Sequence, residues 1–308
     1  MAFLPIPSAP TGTICTPEQS RFSMSKPTLI FGTVGAPTST PKKPGGTVGG
    51  IRQIAEVGLG ALELAWVQSV RISEAKCAEI RAAASDTGVA LSVHAPYFIN
   101  LNAFATEWPK SRKRLMDAAH YGHLAGATEI VFHPGSYFGL APEAVLAVAI
   151  PRLRGCVEEL RAAGNPVTLR PETMGKGALL GSLQDALVMA EEVEGILPCL
   201  DFAHLHARAG GQANTRVEWE AMLKEMQRRL GSRALQRVHI HLSGIEYTPK
   251  GEKRHLPLAE ADFRYKDLLR ALHDSGVSGR VLCESPILEV DALTLQRTWL
   301  RLLTKAKT

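Results

Sequence analysis

From residue 28 onward, short apolar runs recur along the chain, separated by stretches in which apolar residues fall at helical spacing. The runs are TLIFGTV, GALELAWV, VALSVHAP, EIVFHPG, PVTLRPET, ILPCLDFA, RVHIHLSG and RVLCESP, and they read as eight strands. Between them, Ser73 to Ser85, Pro109 to Ala125 and Thr215 to Leu230 read as amphipathic helices. Ser73 is placed to cap the first of these, and Val217, Met222, Leu223, Met226 and Leu230 share one face of the last. Pro151 interrupts the long apolar stretch from Pro142 to Leu160 and should kink or split that helix.

Strands alternating with helices imply parallel βαβ units, and eight such units close into a single (β/α)₈ TIM barrel. An open doubly wound sheet is the alternative, but no GxGxxG follows Gly32 at the end of the first run. Residues 1–26 are rich in Pro, Ser and Thr and lack periodicity. The expectation is a disordered leader, with Met24 as an alternative start, ahead of one catalytic domain over 27–308.

A chain of 308 residues that is 45% hydrophobic can bury a large core. It has no apolar run of the roughly 18 residues that a membrane span needs and no basic start followed by an apolar segment, so a cytoplasmic protein without a membrane partner is expected. The five cysteines, Cys15, Cys77, Cys156, Cys199 and Cys283, form no CxxC pair and give neither a disulfide framework nor a thiolate zinc site. A net charge of +5 permits a polyanionic partner without demanding one. Lys110, Arg112, Lys113 and Arg114 read as a solvated helix face.

The ten histidines carry the most information. His120, His123 and His273 sit within helical patterns. The others, His94, His133, His204, His206, His239, His241 and His255, fall at or just after strand ends. In a barrel the C-terminal strand ends converge on one face. The third strand brings His94 there, the fourth His133, the fifth Glu172, the sixth Asp201 with His204, the seventh His241 and the eighth Glu284. Imidazole and carboxylate donors without thiolate suit Zn²⁺, Mn²⁺ or Fe²⁺. The set is larger than one ion can use, and Glu172 at its middle can bridge two. Two ions about 3.5–4 Å apart suit phosphodiester hydrolysis.

With these residues in place, the segments HAPYFINL, FHPGSY, PETMGKG, DFAHLHARAGG, HIHLSG, HLPL and CESP resemble the endonuclease IV family of apurinic/apyrimidinic endonucleases, from about residue 28 to 300. The resemblance implies a zinc-dependent barrel that cuts the phosphodiester 5′ to abasic sites in double-stranded DNA, with Glu172 and Glu284 catalytic and the chain a monomer. It implies one ion on His94 and His133, a second on Asp201, His241 and Glu284, and Glu172 bridging them. A third would lie on His204, His255 and an aspartate two residues before His255, but that position is Lys253. A protonated lysine has no lone pair for a cation, so the site is lost unless Glu252 replaces the aspartate through a re-routed loop. Tyr97 matches a side chain that the family inserts into the minor groove, and Gln68 and Arg71 lie where it probes the groove.

His239 should lie one layer deeper than His241, as a donor behind the ligands or as a satisfied core histidine. Arg170 should lie beneath Glu172, orienting it or reaching a phosphate. His206 has a loop or supporting role, and Lys176 and Arg208 are either phosphate partners or solvated loop charges. The competing enzyme class is a divalent-metal sugar isomerase or epimerase, which needs fewer ligands. A lesion-binding protein with structural metals is the non-catalytic alternative.

Overall fold

The structure, a computed structural model, describes residues 29–305, so the expected leader lies outside the described residues. The described strands are β1 (Leu29–Val34), β2 (Ala61–Ala65), β3 (Ala90–His94), β4 (Glu129–Phe132), β5 (Thr168–Pro171), β6 (Cys199–Asp201), β7 (Val238–Leu242), β8 (Gly244–Thr248), β9 (Gly251–Leu256) and β10 (Gly279–Cys283). Eight of them form one parallel sheet in the order β5-β4-β3-β2-β1-β10-β7-β6. Its two edges meet where Leu169 bridges Ile196, Glu172 bridges Cys199, and the Thr173 amide donates to the Cys199 carbonyl at 3.0 Å. The ring is therefore closed, and the expected (β/α)₈ barrel is the fold found.

Local chemistry explains the helices around it. The Ser73 hydroxyl accepts from the Lys76 amide at the head of Glu74–Thr87, which ends at Gly88 in the left-handed conformation (φ 71°). Thr215 and Glu218 form a capping box at the head of Arg216–Leu230. Most strand positions are buried, as all four are in β4, because one face meets these helices and the other the barrel interior.

Two expectations need correction. The helix Pro142–Ala162 is not split but runs unbroken through Pro151. Pro151 and Ala147, whose carbonyl loses its partner, are both exposed and solvated, while Val145, Ala149, Leu153 and Val157 on the opposite side stay buried and hold the helix to the barrel. His255 does not follow a barrel strand. It lies in an antiparallel hairpin, β8 with β9, inserted after β7 and packed through Ile245 on Ala203 and Ala207 of the helix Phe202–Arg208.

The hairpin contains a one-residue bulge. Glu246 pairs with Arg254 and Tyr247 with Glu252, which leaves Lys253 between them. Side chains alternate along a strand, so the extra residue puts Glu252 on the face of His255. Lys253 turns away to Glu246 at 2.5 Å. Among the described residues, no helix is long and apolar enough to cross a membrane.

Candidate metal centre

Glu172 follows β5 at the C-terminal mouth of the barrel and is fully buried. Its Oε2 lies 3.3 Å from His94 Nε2 and 3.3 Å from His133 Nε2. Its Oε1 lies 3.3 Å from His241 Nδ1 and 3.3 Å from His204 Nδ1. One carboxylate thus turns each oxygen toward a different group of imidazoles. Glu284 Oε1 approaches His241 Nδ1 at 3.5 Å on the second side, where Asp201 completes a cluster of Glu172, Asp201, His241 and Glu284. His94, His133 and Glu172 form the other cluster.

Asp201 ends β6 and caps the helix Phe202–Arg208, its Oδ1 accepting from the His204 amide at 2.7 Å. The expectation of a longer sixth strand hid this helix, whose first turn swings His204 toward His255. His204 Nδ1 lies 2.9 Å from the Thr173 carbonyl, and His255 Nδ1 lies 3.1 Å from the Glu284 carbonyl. Carbonyls only accept, so both Nδ1 atoms carry protons by this assignment. The two Nε2 lone pairs then face each other at 3.3 Å, with Glu252 Oε2 3.6 Å from His204 Nε2. Facing lone pairs repel unless a cation or proton lies between them.

Burial raises the Glu172 carboxyl, but charge on His241 and His133 and hydrogen bonds from the imidazoles hold it well below the usual range. Burial pushes Asp201 up to about 6 despite His204, with Glu284 and Glu172 adding to the rise. For His204, burial opposes charge, yet Asp201 and Glu172 outweigh it and hold the imidazole well above its ordinary value. His241 behaves alike under Cys199, Glu284, Glu63 and Glu172. A ligand imidazole must give its metal-facing nitrogen a lone pair, so these groups must release protons on binding a cation. Zinc titrated calorimetrically at neutral pH, in buffers of different ionisation heat, should release protons. The affinity should rise as pH climbs through about 6.5 and beyond, where these raised groups still hold protons. Binding that is flat across that range contradicts the assignment.

The remaining sequence expectations divide. Tyr97 stands at the mouth, 46% exposed, stacked on His133 at 5.0 Å and edge-on to His94 at 5.4 Å. Gln68 and Arg71 are exposed on the neighbouring loop, which is tied to Tyr97 by the Tyr97 amide donating to Val67. Lys176 is exposed. Arg208 clips the loop after β5, donating to the carbonyls of Met174, Lys176 and Leu179, and so is committed to structure. His206 is buried between the Ala213 carbonyl and Asp262, tying its helix to the segment beyond the hairpin. Arg170 neither orients Glu172 nor can reach a phosphate. It is fully buried and pairs with Glu129 lower in the barrel. His239 is a core histidine held between Glu63 and Glu129. Sequence reasoning missed Glu63. The signal was an acid alone in the apolar run GALELAWV, which a buried strand tolerates only with partners.

The donor set fits hard or borderline divalent ions: it contains only imidazole and carboxylate, and the buried Glu172 Oε2 and Asp201 Oδ2 have no well-aligned hydrogen-bond partner. A closed barrel with such clusters at its C-terminal mouth is an enzyme scaffold of the divalent-metal class. The chain belongs to the xylose isomerase-like TIM barrel family, whose profile matches residues 51–303. It is 38% identical over 272 residues to an uncharacterized protein of Methanocaldococcus jannaschii, covering 88% of this chain and 97% of that one. It is 28% identical over 206 residues to endonuclease 4 of Thermus thermophilus, covering 64% and 71%. Among solved structures, a D-tagatose 3-epimerase-like protein shares the fold with a TM-score of 0.68 at 17% identity, covering 90% of this chain and all (100%) of that one.

Proposed function

We propose that this barrel is a metal-dependent endonuclease that hydrolyses the DNA phosphodiester 5′ to abasic sites in base excision repair. The observation that carries the reading is Glu172, whose two oxygens each face a separate set of imidazoles. In this reading one ion lies on His94, His133 and Glu172, and a second on Glu172, Asp201, His241 and Glu284. His204, His255 and Glu252 take a third. Zinc suits these donors best, with manganese as the alternative. Bound ions supply Lewis acidity at the phosphate and activate water.

The chain's own residues do the rest. Glu284, half-buried at the mouth, orients the attacking water along the line opposite the leaving 3′ oxygen. Tyr97 offers an exposed ring next to His133 for insertion at the lesion, and Gln68 and Arg71 follow the groove beside it. The net charge of +5 suits a polyanion. The 28% identity to an endonuclease 4 supports the same choice.

A second reading is a sugar isomerase or epimerase, favoured by one observation: Glu172, Asp201, His241 and Glu284 make a complete ligand set for a single ion. It leaves His94, His133 and the Glu252 cluster without a task. Incubation with a duplex carrying one abasic analogue, with and without chelator, separates the two. Metal-dependent nicking at the analogue is expected; absence of nicking with turnover of a ketose or aldose overturns the nuclease reading. The third ion has its own test. Glu252→Gln should lower the bound metal count by one, whereas Lys253→Ala, which touches only the outer face of the hairpin, should leave it unchanged.

A further inference from the structure

A line of buried charge runs down the barrel interior below the ligands. Glu63 on β2 is fully buried, and its Oε2 accepts from the Ser92 hydroxyl at 2.7 Å and from His239 Nε2 at 2.9 Å. His239 Nδ1 lies 2.5 Å from Glu129 Oε2, and Glu129 Oε1 pairs with Arg170. Arg170 also donates to the Pro198 carbonyl at 3.1 Å and the Arg237 carbonyl at 2.7 Å. The line begins at the ligands themselves, because Glu63 Oε1 lies 2.9 Å from His241 Nε2. That approach is an ion-pair contact rather than an aligned hydrogen bond.

Stability alone does not call for such a line, since well-packed apolar residues of similar volume often serve a core equally well or better. Direction is what it supplies. A neutral imidazole has one N–H and one lone pair, and a carboxylate oxygen 2.9 Å from Nε2 keeps the proton there. Nδ1, which hydrogen-bonds Glu172 Oε1 at 3.3 Å and lies 3.5 Å from Glu284 Oε1, is then the nitrogen that gives up its proton and turns its lone pair to a cation held by those two carboxylates. We propose that Glu63 is a positioning residue for the metal centre: it fixes the tautomer and aim of His241, and Ser92, His239, Glu129 and Arg170 fix Glu63. This rests on His241 being a metal ligand and is independent of the substrate.

Cobalt(II) is the probe, titrated into the full chain and followed by its visible absorption. Glu63→Gln keeps the side-chain volume and weakens the charge lock, while Glu63→Leu removes it. The affinity of one cobalt site should fall about 10–100-fold, more for Leu than for Gln, with the remaining sites unchanged. In a His241→Ala background, Glu63→Gln should have no further effect on cobalt binding. Circular dichroism and thermal melting of each variant show that the barrel is folded; if the Leu variant does not fold, the Gln variant carries the test. Wild-type cobalt affinity in the Gln variant, or a lowered melting temperature with unchanged affinity, overturns the proposal. If His241→Ala itself binds cobalt like wild type, the metal reading fails as well, so the two failures are distinguishable.

Discussion

Glu172→Gln should abolish metal-dependent turnover, by more than about 10³-fold, while leaving the barrel folded. A carboxylate presents two oxygens that both accept, and here Oε2 faces His94 and His133 while Oε1 faces His241 and His204. An amide keeps one accepting oxygen and turns an NH₂ toward the other set, so it can serve one ion at most. Size and shape barely change, and the Glu172 main chain keeps its amide donation to the Phe132 carbonyl at 3.0 Å. Turnover and the far-ultraviolet circular dichroism spectrum, measured on one preparation, check both halves. Full activity in a folded variant would remove the bridging role.

The second large effect separates the two enzyme classes. His133→Ala should cut nicking by more than about 10²-fold and lower the metal content by one ion. His133 belongs to the cluster with His94 and not to the cluster of Glu172, Asp201, His241 and Glu284. A one-ion isomerase built on those four residues would lose less, because His133 touches only Glu172 Oε2 and none of the other three, and the group of four is complete without it. The stacked Tyr97 would also lose its support, so binding of abasic duplex should weaken together with turnover. Metal analysis of the variant beside its nicking rate decides the matter. Unchanged nicking with one fewer ion would mean that the first cluster is not part of the chemistry.

Much of this centre was legible because few residue types can hold a divalent ion and because a barrel brings strand ends together whatever their separation in sequence. Those two facts alone put His94, Glu172, Asp201 and His241 at one mouth, and the structure brings them together there. The hairpin carrying His255 was not, since β8 and β9 are short and mostly polar outside Ile245. The Thr248 to Gly251 turn, with Pro249, was the available sign. The bulge at Lys253 could not be read from composition at all, because register is set by the pairing of two strands. It nevertheless decides whether an acid reaches His204. Arg170 was placed in the correct barrel interior but given the wrong partner: its depth followed from alternation along β5, whereas its pairing with Glu129 depends on side-chain direction, which alternation leaves open.

The most direct test of the shared carboxylate is a crystal structure of the metal-loaded protein with anomalous scattering recorded at the metal edge. Two peaks should flank Glu172, one in contact with His94 and His133, the other with Asp201, His241 and Glu284. A single peak on Glu172, Asp201, His241 and Glu284, with both outer imidazoles free, would contradict the account.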